Sequence, residues 1–190
     1  MIRFATSEDT PRIAELVLVI LKDMELSILE KADDQLVLTA LEEAMEDPDY
    51  RYGYHRGLVN DVDGEVAGIA FGFFASEEET IDESFEKAFS KYGLTDQSLF
   101  SEQESFAGEW YLDLLCVDET YRGQGIGSEL LTAVQQFAAK SGASVIGLCV
   151  DHRNEKAKQL YEKEGFKIVG EQVLSDHPYH HMQKQLPSYV

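Results

Sequence analysis

Hydrophobic and polar positions alternate along this chain with two distinct periods. Ile2 to Phe4 reads as a short strand. Ile13, Leu16, Val17, Ile20 and Leu21 then recur at the spacing of one helix face. Thr10-Pro11 predicts where that helix opens, with Thr10 as its cap and proline at the first turn. Leu36, Val37, Ala40, Leu41, Ala44 and Met45 predict a second helix that ends before Pro48. From Arg56 the period shortens to that of strands. Residues 57–60 and 66–71 are apolar runs joined through Asp63-Gly64, which predicts an antiparallel hairpin.

Residues 76–105 are more acidic and read as a helical insertion. Ser76 with Glu79 three positions on has the form of a capping box. Ile81, Phe85, Ala88, Phe89 and Tyr92 predict a helix over 77–92, stopped at Gly93, with a loop from Leu94 to Phe106. Its apolar face either covers the sheet and the other helices or serves as a substrate lid or the surface of a homodimer; the first reading is preferred. Beyond the insertion the two periods alternate. Trp110 to Val117 is a strand, Ile126 to Ala138 a long helix ended by Gly142, and Val145 to Val150 a buried strand. Ala157, Leu160 and Tyr161 share a helix face before Gly165, and strands at 166–174 and 179–186 follow. A strand–helix–strand unit among hairpins predicts an α/β fold with one mixed central sheet.

Composition narrows the functional classes. A chain of 190 residues suits one domain, read as 1–190, and 44% hydrophobic with 27% charged residues excludes a disordered or fibrous chain. The formal charge of −20 argues against a nucleic-acid partner, which needs clustered Lys and Arg. Cys116 and Cys149 both lie in apolar runs and read as small buried hydrophobes. No signal-like or membrane-length apolar run appears, so no membrane partner and a cytoplasmic location are expected. There is no CxxC pair, and His180 and His181 point to opposite faces of a strand, so no metal site is expected.

The segment that carries chemistry is Val117-Asp118-Glu119-Thr120-Tyr121-Arg122-Gly123-Gln124-Gly125-Ile126-Gly127-Ser128. It joins a strand to a helix. Alternate glycines let backbone approach a ligand, and the first amides of a helix attract an anion, so this junction reads as a pyrophosphate site. A nucleoside-triphosphate P-loop is excluded, because Ser128 and Glu129 stand where lysine is needed. The third glycine comes one residue early for a dinucleotide fingerprint.

Arg122-Gly123-Gln124-Gly125-Ile126-Gly127 resembles the R/Q-x-x-G-x-G/A signature of the GCN5-related N-acetyltransferase (GNAT) superfamily. Asn154 with Leu160-Tyr161 and Gly165-Phe166 resembles its next motif. The resemblance spans nearly the whole chain apart from 76–105. It implies a GNAT fold with helices on both faces of the sheet and middle strands that splay apart. It implies acetyl-CoA as cosubstrate and an amine acceptor. Backbone of Leu115, Cys116 and Val117 would pair with the pantetheine arm, amides of Arg122 through Ser128 would hold the pyrophosphate, and Asn154 would contact the cofactor. The implied chemistry is direct attack of a primary amine on the thioester in a ternary complex. Tyr161 is the candidate acid for the leaving thiolate, or else a core aromatic. Glu109 is the candidate base by its spacing from Arg122, or else an exposed strand-end carboxylate. Asp113 is its rival, on the same strand face and flanked by leucines that would raise its pKa, and ordered water is the third option. A non-catalytic module that binds coenzyme A or a protein is the alternative function.

Overall fold

The computed structural model describes residues 1–24, 32–94 and 102–188. The predicted loop at 94–106 lies in part outside the described residues. Seven strands form one sheet in the order β1-β2-β3-β4-β5-β7-β6. They are β1 (Ile2–Phe4), β2 (Leu58–Val62), β3 (Glu65–Phe74), β4 (Trp110–Val117), β5 (Val145–Asp151), β6 (Lys167–Leu174) and β7 (His177–Gln185). Every neighbouring pair is antiparallel except β4 and β5. The helices are α1 (Thr10–Asp23), α2 (Asp34–Met45), α3 (Glu83–Lys91), α4 (Ile126–Lys140) and α5 (Glu155–Lys163). No helix among the described residues is long and apolar enough to cross a membrane.

Two buried clusters lie on opposite faces of the sheet. On one face α1, α2 and α3 pack Ile13, Leu41 and Phe85 against Phe71, Leu114 and Cys116. On the other, Leu130, Leu131 and Val134 of α4 pack against Trp110, Leu112, Ile146 and Met182. The strand residues alternate between these faces as expected until β4 reaches Asp113. There the pairing with β3 jumps from Leu112↔Gly72 to Leu114↔Phe71, so Asp113 is a bulge. A bulge adds one residue and shifts the phase of the alternation. Asp113 and Leu114 consequently lie toward the same face, with Tyr111 before them and Cys116 after.

Local chemistry explains three departures from the predicted elements. Thr10 does not cap α1: the chain enters through a short 3-10 turn at Ser7–Asp9, and Asp9 accepts from the Thr6 amide at 2.8 Å while pairing with Arg3. Thr10 Oγ1 is buried with no hydrogen-bond partner among the described residues. The capping box at Ser76 and Glu79 does not form. Glu77 accepts from the Phe74 amide instead, a 3-10 turn follows, and α3 begins only at Glu83. Asp82, which immediately precedes α3, turns its carboxylate to Arg51 and makes no cap. The final hairpin is tighter than predicted: Ser175 and Asp176 both adopt positive φ, so β7 begins at His177. At Asp63-Gly64 the predicted hairpin turn is present, with φ of 54° and 89°.

The apolar face of α3 buries Phe85, Ala88 and Phe89 in the same core as α1 and α2, with Phe85 stacked on Tyr50. This matches the plainer of its two readings. Gly72 has no room for a side chain: a Cβ there would lie 2.3 Å from the Trp110 ring and 2.4 Å from the Tyr111 carbonyl. Gly72→Ala is expected to destabilise the fold by about 1–3 kcal/mol, the usual cost of overpacking, measured as a lower midpoint in urea unfolding.

Candidate active site

Pairing between β4 and β5 is confined to two positions, Trp110↔Ile146 and Tyr111↔Gly147. Beyond them β4 runs on to Val117, still paired with β3, and β5 runs on to Asp151, still paired with β7. The two central strands therefore part, and backbone of β4 from Leu112 onward faces the gap without a β5 partner. A gap of this kind accepts an extended ligand as an added strand. Leu115 and Val117 line it half-buried on the α4 side, whereas the Cys116 thiol points into the opposite core, where burial pushes its pKa up to about 11.

The glycine turn closes the open end of β4. Asp118 accepts from the Thr120 amide and hydroxyl and pairs with Arg12, which ties the turn to α1. Gly123 and Gly125 have φ of 80° and 85°, a conformation reserved in practice for glycine. Gly125 precedes α4 and offers no side chain to cap it, so the first amides of α4, from Ile126, Gly127 and Ser128, keep their donors for another acceptor. A Cβ at Gly127 would make only ordinary contact, 3.7 Å from Val117. Arg122 and Gln124 are exposed beside the turn, and Arg122 donates to the Val117 carbonyl at 3.2 Å. An anion fits here, with amide donors, the helix dipole and a guanidinium on one side.

Asn154 and Tyr161 come from the next helix. Asn154 caps α5, its side-chain oxygen accepting from the Ala157 amide at 3.1 Å. Sequence reading gave this residue only a cofactor contact; its first task is to start the helix. Tyr161 is half-buried against Phe166 in an edge-to-face pair, and burial pushes its phenol up to about 12.

Glu109 is not an exposed strand-end carboxylate. It is 1% exposed and accepts from the Phe106 amide at 2.8 Å, His181 Nε2 at 3.0 Å and Gln183 Nε2 at 2.7 Å. It lies where a Cβ of Gly147 would stand, 1.9 Å from that position, at the closed end of the gap. His181 stacks on Phe106 with 3.6 Å between ring centroids. Its Nδ1 faces Gln172 Oε1 at 2.9 Å and Cys149 Sγ at 3.3 Å. The Cys149 thiol, half-buried, is pushed up to about 12, chiefly by burial.

Asp113 sits in a buried acidic group that no motif announced. Arg51, 1% exposed, donates to both oxygens of Asp82 at 2.8 Å and to Asp113 at 2.9 Å, with Glu104 3.5 Å away. Tyr111 donates its hydroxyl to Glu104 at 3.0 Å. Glu78 accepts from the Glu104 and Ser105 amides. One guanidinium thus faces several carboxylates. Burial and the charge of Asp113 push the Glu104 carboxyl up to about 7, and burial raises Asp113 despite Arg51 and Tyr52. Asp113 accepts from Arg51 through Oδ1, and Tyr52 hydrogen-bonds to the same carboxyl. The acidity of the 76–105 insertion is therefore not simply a solvated surface, since Glu78, Asp82 and Glu104 are folded in over the bulge of β4.

The comparisons agree with this geometry. The family model described as "Acetyltransferase (GNAT) family" matches residues 24–166. A solved acetyltransferase structure superposes with a TM-score of 0.90 at 50% identity, covering 98% of this chain and 100% of that one. An N-acetyltransferase from Staphylococcus aureus Mu50 superposes with a TM-score of 0.86 at 31% identity, covering 97% and 100%. The spermine/spermidine N(1)-acetyltransferase of Bacillus subtilis (strain 168) is 32% identical over 84 residues, 44% of this chain and 53% of that protein. The matched stretch spans about half or less of the curated relatives. With its parted central strands, its glycine turn at the head of α4 and a family match over most of its length, the chain belongs to the GNAT family of acetyltransferases.

Proposed function

We propose that the chain is an acetyl-CoA-dependent N-acetyltransferase that acetylates a cationic primary amine by direct attack in a ternary complex. The observation that carries this reading is the parting of β4 and β5 after two paired positions, with the uncapped, glycine-led start of α4 at the open end. The amides of Ile126, Gly127 and Ser128 with Arg122 would hold the pyrophosphate, and the edge of Leu115 through Val117 that has no β5 partner would align the arm. Acetyl-CoA supplies the activated acetyl thioester.

The residues of the chain then manage protons. An aliphatic ammonium of pKa ~10 must lose a proton before it can attack. Asp113, held by Arg51 and hydrogen-bonded by Tyr52, contributes negative charge that would attract that ammonium. Glu104, its neighbour across Arg51 and raised to about 7, is the carboxyl suited to take the proton. Glu109 has both oxygens engaged and is assigned to positioning His181 and the closed end of the gap rather than to proton removal. Tyr161, protonated at neutral pH, is the donor for the departing thiolate. A small polyamine-like acceptor is supported by the net charge of −20 and by the name of the Bacillus relative.

Gly125→Asp is expected to abolish acetyl-CoA binding in calorimetry while circular dichroism stays that of the wild type; wild-type affinity in a folded variant would refute the turn as the pyrophosphate site. Tyr161→Phe should lower kcat by roughly 10²–10⁴ with KM for acetyl-CoA little changed. An unchanged kcat would return Tyr161 to a packing role.

Glu104 gives a pH test. Its folded pKa of about 7 lies above the ordinary carboxyl value of 4.5, so the folded state binds the extra proton. That contribution to stability is full below pH ~4.5 and is lost as pH rises through ~7. Thermal unfolding of Glu104→Gln should therefore decline less than the wild type between those limits. In kinetics, the ascending limb of kcat/KM near pH 7 should disappear in Glu104→Gln and persist in Glu109→Gln. A limb lost only in Glu109→Gln would move the base to Glu109.

A further inference from the structure

The final hairpin carries a second constellation, on residues that acetyl transfer does not use. Glu171 of β6 and His180 of β7 are direct cross-strand partners. His152 follows β5 immediately, and its amide donates to the Pro178 carbonyl at 3.0 Å, which pins it beside β7. The two imidazoles stack with 3.8 Å between centroids at 23°. Both turn a nitrogen to the same carboxylate: His152 Nε2 lies 2.6 Å from Glu171 Oε2, and His180 Nδ1 lies 2.7 Å from Oε1. The three candidate ligand atoms all lie within 4.8 Å of one another.

We propose that His152, Glu171 and His180 form a binding site for a divalent transition-metal ion of the zinc type, with the remaining coordination position open to water. Two imidazole nitrogens and one carboxylate suit Zn²⁺, whereas Mg²⁺ and Ca²⁺ require oxygen-rich shells. The three ligands rise from β6, β7 and the end of β5, so the sheet ladder sets their spacing before any ion arrives. Bringing each nitrogen to about 2.0–2.1 Å from a common ion asks for side-chain rotation and not for backbone movement. Room for that rotation exists, since His152 and Glu171 are exposed at 39% and 57% of their side chains.

The expected absence of a metal site rested on His180 and His181 facing opposite ways, and they do. His181 turns to Glu109, and His180 finds its partners in Glu171 and His152. His152 lies two residues before Asn154, so a bound ion would also brace the turn that starts α5.

The test uses the full chain without a histidine tag. Calorimetric titration with ZnSO₄ should give one ion per chain, and CoCl₂ should give the visible d–d bands of a tetrahedral centre. His152→Ala and His180→Ala should each weaken Zn²⁺ binding at least about tenfold, since even partners one shell further out cost that much. Glu171→Gln should weaken it too, and His55→Ala, remote in sequence, should leave it unchanged. Thermal unfolding without metal checks that the variants are folded. Lack of stoichiometric binding overturns the proposal. So does an octahedral Co²⁺ spectrum, affinity that survives both histidine variants, or an equal loss in His55→Ala. None of these readouts depends on acetyl transfer.

Discussion

The short ladder between β4 and β5 is the constraint on which the rest depends. Two paired positions must hold together two central strands that then diverge. A two-rung parallel ladder is weak by itself, and its closed end is reinforced by side chains. Glu109, just ahead of β4, reaches across Gly147 of β5 to His181 and Gln183 of β7. The absence of a Cβ at Gly147 is what lets the carboxylate lie there. Since Glu109 and His181 are buried, removing either would leave the other as a buried polar group short of a partner, which is far more costly than the net worth of any one bond. The gap can stay open at one end because it is fastened at the other.

A second constraint is electrostatic and lies on the face opposite α4. Arg51 is enclosed by Asp82, Asp113 and Glu104, and the protein has few cations to spare for a buried position. Carboxylates in excess over the guanidinium cannot all ionise at low cost, so Glu104 and Asp113 titrate as a pair and hold protons at pH values where free carboxylates would not. The bulge at Asp113 makes the arrangement possible. Without the extra residue, strict alternation would send either Asp113 or Leu114 to the α4 face. The same irregularity thus turns a carboxylate to the buried Arg51 and keeps Leu114 in the core.

The two halves of the molecule are built on different chemistry. Toward β1, the sheet is sealed by apolar side chains of α1, α2 and α3. Toward β6 and β7, polar side chains connect the strands: Glu109, Gln172, His181 and Gln183 within, and Glu171, His152 and His180 outside. Adjacent residues His180 and His181 serve opposite faces, one in a buried network and one at the surface.

Periodicity determined most of the elements, though not all their bounds, because burying one face of a helix or strand imposes a repeat that reads directly from Ile13 to Leu21 or from Val145 to Val150. The Gly123–Gly127 segment was legible for a similar reason: positive φ and close backbone approach leave glycine as the residue that serves, and two such positions are present. Strand alternation also placed Glu109, Tyr111 and Asp113 toward one face, where they are found. What sequence could not disclose was who meets whom. Arg51 and Asp82 are far apart along the chain, and nothing at either position signals the pair. The capping box at Ser76 was outcompeted by Glu77 and by the demand of a buried guanidinium on Asp82. Glu109 looked exposed at a strand end, and became buried only because Gly147, His181 and Gln183 converge on it from two other strands. Local pattern records what each residue needs, burial or water or a special backbone angle. Which partner satisfies a buried charge is decided by contacts across the sheet, and those exist only once the chain has folded.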